Sequence, residues 1–158
     1  MRCVTDEKEI KEIERYMNIA AEASLKSECR KSKRGVILVN NGMILSDGYN
    51  TPLLPELCCA RENIHDNRAI DLCSALHAEE MAILNAAKCT CMIQGARLYH
   101  IQTKNGEIKP SGNPSCTQCS KSIYGAGIAE VVLLHEKGYA IYDSKEFNEL
   151  SFKYFLEK

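Results

Sequence analysis

Apolar residues recur at helical spacing near the start of the chain. Ile10, Ile13, Met17, Ala20, Ala21 and Leu25 carry charges between them, and that period predicts a helix from roughly Asp6 to Lys31 with one face toward a core. The pattern then shortens. Val36-Ile37-Leu38-Val39, Asn40-Asn41-Gly42 and Met43-Ile44-Leu45 read as two strands joined by a tight turn, because Asn-Gly accepts the positive φ angles such turns require. Asn50 to Asp71, with Pro52, Pro55 and two adjacent cysteines, reads as an irregular loop. Ser74 to Lys88 is apolar nearly all round, which predicts a helix at the centre of the fold with Ser74 as its N-cap. Ala96 to Gln102 reads as a strand and Thr103 to Ser115 as a polar loop. Thr117 to Tyr124 reads as a short helix stopped by Gly125 and Gly127, Ala129 to Leu134 as a strand buried on both faces, and Ser144 to Phe155 as a last helix.

The order α-β-β-α-β-α-β-α predicts an α/β fold in one domain over residues 1–158. It is expected to be a three-layer α/β/α sandwich around a mixed sheet of five, or nearly five, strands. A length of 158 residues suits one domain with a real core. The net charge of −1 offers no field to gather nucleic acid, so a polynucleotide partner is not expected. Met1 to Glu14 is charged and amphipathic rather than leader-like, and no apolar run is long enough to span a bilayer. The expectation is a cytoplasmic protein without a membrane partner.

Nine cysteines change the picture. An odd number with a Cys-x-x-Cys spacing favours reduced thiols and metal binding over a disulfide framework. Some, such as Cys89 and Cys91, read simply as small buried hydrophobes. Cys116 and Cys119 follow His77-Ala78-Glu79. One imidazole and two thiolates fill three corners of a Zn²⁺ tetrahedron and leave the fourth for water, while Glu79 is free to handle protons there. Three other readings stay open: Cys116 and Cys119 as a redox pair, a structural zinc closed by another cysteine, and Glu79 as a first-turn carboxylate that only stabilises its helix, the role read for Glu80. The basic run Arg30, Lys31, Lys33 and Arg34 reads either as a solvated helix end or as a phosphate site with Arg34 foremost. His100 and His135 lack metal spacing and read as structural, while Tyr139 and Tyr142 read either as pocket lining or as packing residues.

These residues carry a family resemblance. His-x-Glu with a later Cys-x-x-Cys preceded by proline is similar to the zinc-dependent cytidine and deoxycytidylate deaminase superfamily. Arg34-Gly35-Val36-Ile37-Leu38-Val39 with Gly48-Tyr49-Asn50 resembles the first hairpin and substrate loop of deoxycytidylate deaminases. Cys73-Ser74-Ala75-Leu76-His77-Ala78-Glu79 resembles their zinc helix, and Gly127 to Val132 the strand that follows. The resemblance implies a cytidine-deaminase-like fold, Zn²⁺ on His77, Cys116 and Cys119, and Glu79 as the acid/base of a hydrolytic deamination. It also implies substrate contacts from Asn50, the Ala78 backbone, Arg34 and Ser115; Cys29, Cys59, His65 and Cys73 read either as a second zinc site or as buried free thiols with a surface histidine. A cytosine nucleotide, deoxycytidylate foremost, is the implied substrate, and a homo-oligomer the implied assembly. Three departures bear on the pocket wall: Ser115 stands between Pro114 and Cys116, the loop from Lys104 to Asn113 is longer, and Met81 replaces an asparagine. Two rivals follow: the same chemistry on another base or on single-stranded nucleic acid, and a zinc-stabilised interaction module without catalysis.

Overall fold

The structure, a computed structural model, describes residues 1–57, 73–111 and 113–157. Helix α1 (Glu7–Leu25) starts where the Asp6 carboxylate accepts from the Glu9 amide at 2.8 Å, a cap worth about 1 kcal/mol. It buries Ile13, Tyr16, Met17, Ala20 and Ala23, the stripe that the sequence period predicts. The helix stops six residues before the expected Lys31. Beyond Leu25 no apolar side chain continues the stripe, and Ser27 turns instead to hydrogen-bond Asn50.

β1 (Arg2–Cys3), β2 (Lys33–Asn40) and β3 (Met43–Tyr49) come next to this helix in the chain. Asn41 and Gly42, at φ 49° and 75°, make the predicted two-residue turn between β2 and β3. β4 (Thr51–Pro52) pairs with β5 (Ala75–Leu76) in a small second sheet. That pairing corrects the expected helix start. Ala75 and Leu76 are held extended, Ser74 donates to the Leu57 carbonyl, and α2 (Ala78–Lys88) begins with His77 at the cap position. α2 is also less central than predicted. Ala78, Glu79, Ala82 and Ala86 are buried, whereas Leu84 faces outward.

β6 (Arg97–Lys104), β7 (Glu107–Lys109), α3 (Thr117–Gly125), β8 (Glu130–His135), β9 (Gly138–Asp143) and α4 (Ser144–Leu156) complete the described elements. The main sheet has seven strands in the order β1-β9-β8-β6-β2-β3, with β7 paired to the end of β6. β8 runs parallel to β6 across the α3 connection and the other pairs are antiparallel, so the sheet is mixed as expected. It is wider than the expected five, or nearly five, strands because β1 and β9 are short strands for which the sequence predicts no element and β7 lies in the segment read as a polar loop. The β6–β7 turn uses Asn105 and Gly106, both at positive φ, the same chemistry as the first hairpin.

Alternation along the strands sorts the core into two layers. Ile37, Val39, Tyr99, Ile101, Val132 and Ile141 pack under α1. Val36, Leu38, Leu98, Val131 and Leu133 face Ala78, Ala82, Ala86, Ile123 and Phe147 from α2, α3 and α4. The predicted α/β/α sandwich is borne out. Among the described residues no helix is long and apolar enough to cross a membrane.

Candidate active site

Two helix starts converge at one end of β6. His77 caps α2 and Cys116 caps α3, each in extended backbone just before the first helical residue. His77 makes no side-chain cap bond; its Nδ1 lies 3.1 Å from Cys119 Sγ and 3.4 Å from Cys116 Sγ, and the two sulfurs stand 3.3 Å apart. The three ligand atoms all fall within 4.8 Å of one another. Cys116 Sγ also accepts from the Cys119 amide, so the turn that starts α3 shapes the Cys-x-x-Cys pair. One nitrogen and two sulfurs at this spacing suit a tetrahedral divalent ion such as zinc, with one corner left for a non-protein ligand.

The electrostatics prepare these groups for a cation. The neighbouring Cys119 thiol, with His77 and the Cys119 amide, pulls the Cys116 thiol down to about 5 against its burial. Cys116 in turn raises His77 to about 10, and Cys119 is pushed up by Cys116 and by burial. One sulfur is therefore anionic, while a metal must displace protons from the other sulfur and from the imidazole. Helix N-termini add partial positive charge that favours thiolate.

Glu79, in the first turn of α2, is 4% exposed. The Ser115 hydroxyl donates to its Oε1. Burial pushes this carboxyl up, but the Ser115 hydroxyl and the charge on His77 hold it below the ordinary range, so it is ionised at neutral pH. Glu80, next in the chain, accepts from Gln118 Nε2 at 2.9 Å on the protein surface.

A cavity of about 610 Å³ opens over His77, Glu79 and Cys116. Arg34, Asn50 and Ser115 line it, as does Cys29. Asn50 is nearly all engaged by the protein. Its Oδ1 accepts from Ser27 Oγ and the Arg34 amide, and its Nδ2 donates to the Ser32 carbonyl, which leaves one amide hydrogen for a ligand. Ala78 is fully buried, with its carbonyl packed over Gly48. Of the second cysteine group, Cys73 also lines the cavity and hydrogen-bonds His77, while Cys59 and His65 lie outside the described residues.

His100, read from the sequence as a structural residue, lies beside the site. It is 3% exposed, and its Nε2 lies 3.9 Å from Glu79 Oε1 and 3.4 Å from Arg34 Nη1. Nε2 thus faces both the guanidinium and the carboxylate, while among the described residues Nδ1 is buried without a hydrogen-bond partner. Burial, countered in part by Glu79, brings this imidazole down to about 4. No spacing in the chain announces this contact, since β6 and α2 meet only in the folded core. Tyr154 and Phe155, near the end of α4, also line the cavity. Their only sequence signal is the apolar character of the last helix.

Comparison with known proteins adds to this geometry. Residues 10–135 match the model for the cytidine and deoxycytidylate deaminase zinc-binding region. The deoxycytidylate deaminase of Saccharomyces cerevisiae is 34% identical over 122 residues, covering 74% of this chain. The chain spans only 35% of that relative's length. The crystal structure of dCMP deaminase from the cyanophage S-TIM5 in complex with dCMP and dUMP is 29% identical. It superposes with a TM-score of 0.55 over 80% of this chain and 82% of that one. Cytidine deaminase from Burkholderia pseudomallei, at 18% identity, shares the fold with a TM-score of 0.60 over 85% of this chain and 94% of that one.

Proposed function

The chain belongs to the cytidine and deoxycytidylate deaminase family, and from that premise we propose that it hydrolyses the exocyclic amine of a cytosine nucleotide, deoxycytidylate foremost, to the uracil nucleotide and ammonia. The observation that carries this reading is a buried, ionised carboxylate, Glu79, lining one cavity with His77 and Cys116 of a three-ligand cluster.

We assign zinc to His77 Nδ1, Cys116 Sγ and Cys119 Sγ. A zinc ion held by these three residues would supply hydroxide for the ring carbon bearing the amine, by lowering the pKa of water toward neutrality. Glu79 handles the protons. Its carboxylate accepts one from the water and gives it to the ring nitrogen, then takes the proton of the hydroxyl newly bonded to the ring carbon and passes it to the amine, so that the C–N bond breaks, ammonia leaves and the carbonyl forms. Arg34, on the cavity wall, is the cation we assign to a substrate phosphate. The remaining Asn50 amide hydrogen and the Ala78 backbone would orient base and sugar.

The free thiols of Cys3, Cys29, Cys89 and Cys91 suit a reducing, cytoplasmic setting. We also propose one domain that self-associates, as the family resemblance implies. The test is ammonia release by the zinc-loaded protein from deoxycytidylate, cytidine, guanine and single-stranded DNA. Turnover of deoxycytidylate is expected. Glu79→Gln should keep its zinc and lose at least about 10³-fold in kcat, within the range for a lost proton-transfer group. Turnover of the polymer alone, or full activity in Glu79→Gln, would refute the reading.

A further inference from the structure

Ser115 is the residue that separates Pro114 from the first cysteine of Cys-x-x-Cys. Its hydroxyl lies on Oε1 of Glu79, joining the segment that starts α3 to the first turn of α2. The next residue, Cys116, is both a cluster atom and the cap of α3. One short stretch of chain thus sets a ligand sulfur and the place of the carboxylate together. A second bridge, Gln118 to Glu80 at 2.9 Å, runs between the same two helices on the outside.

The other close neighbour of Oε1 does not do this work. His100 Nε2 is 3.9 Å away, beyond hydrogen-bond reach of the carboxylate. Without Ser115 this side of a buried carboxylate loses its hydroxyl donor, and the side chain has χ freedom to swing.

Resting on the deaminase reading above, we propose that Ser115 is a positioning residue for Glu79 rather than a substrate contact: it holds Oε1 and so presents Oε2 to the reacting atoms. The expected cost of losing it falls on the chemical step. A carboxylate displaced by about 1 Å loses roughly 10- to 100-fold in rate, while ground-state binding of the nucleotide is left alone.

The experiment compares wild type, Ser115→Ala and Ser115→Thr, each loaded with zinc and checked for metal content by mass spectrometry. Kinetics on deoxycytidylate are paired with crystal structures of wild type and Ser115→Ala. Expected results are full zinc in all three and a kcat about 10- to 100-fold lower in Ser115→Ala with KM within about twofold. Threonine, which keeps the hydroxyl, should recover most of the rate, and the alanine crystal should show the Glu79 carboxylate displaced. A raised KM with unchanged kcat would make Ser115 a substrate contact and overturn the proposal. Equal losses in both variants with Glu79 unmoved would do the same. If wild type deaminates none of the bases offered, the deaminase reading falls separately. The crystals then decide the positioning: a displaced Glu79 in Ser115→Ala supports it, and an unmoved one overturns it.

Discussion

Gly48 is where a single methyl group should reach the active site through the backbone. It lies in β3, paired with Val36 of the inner strand β2, and a Cβ built on it would meet the Ala78 carbonyl oxygen at 2.2 Å. The same atom would lie 2.5 Å from the Ala82 amide nitrogen and 2.9 Å from the Ala82 Cβ. Two of these obstacles are backbone of α2, so no rotamer change relieves them. Restoring van der Waals contact requires the helix to move away by about 1 Å. The strand is held by its ladder to β2, which leaves α2 as the element that yields. Overpacking of this kind costs about 1–3 kcal/mol, or a fall in Tm of roughly 2–10 °C for a chain of this size. His77 caps that helix and Glu79 sits in its first turn, so both shift relative to Cys116 and Cys119. Gly48→Ala is therefore expected to lower zinc occupancy and to reduce kcat by about 100-fold beyond what metal loss explains. The assays are calorimetry, metal analysis by mass spectrometry, and ammonia release at saturating zinc. A variant with Tm within about 1 °C of wild type, full zinc and unchanged kcat would refute the close packing of α2 on β3.

Two further outcomes follow from the site. Cys116→Ser should remove the sulfur held anionic, abolish stoichiometric zinc binding, and erase the fall in Tm that chelator causes in wild type. A chelator effect unchanged in Cys116→Ser would place the metal elsewhere. His100 sets an acid limit on stability. Burial holds it near 4 in the folded chain against about 6.5 when unfolded, so between those values the unfolded state binds a proton that the native state refuses. Stability contributed by His100 is whole above about pH 6.5 and is lost as pH falls toward 4, at up to about 1.4 kcal/mol per unit. Wild type should consequently lose more Tm than His100→Gln between pH 7 and pH 5. Parallel losses would show that His100 does not stay neutral.

Much of this protein can be read from short-range chemistry. The stripe from Ile13 to Ala20, the Asn41-Gly42 turn, the His-x-Glu pair and the Cys-x-x-Cys pair each depend on residues two to four apart, where covalent spacing and local backbone preference dominate. The sandwich follows once those elements must bury one face each. The short strands β1, β7 and β9 escaped because six or fewer residues carry little period, and their pairing partners lie elsewhere in the chain. Ser74 escaped as well. A good capping residue lost to a strand pairing with Thr51 and Pro52, which kept Ala75 and Leu76 extended and made His77 the cap of the helix. The Ser115 bond to Glu79 and the place of His100 beneath the same carboxylate join residues 36 and 21 positions apart. Such distances have no signature along the chain, because only packing of the helices against the sheet brings those atoms to one place.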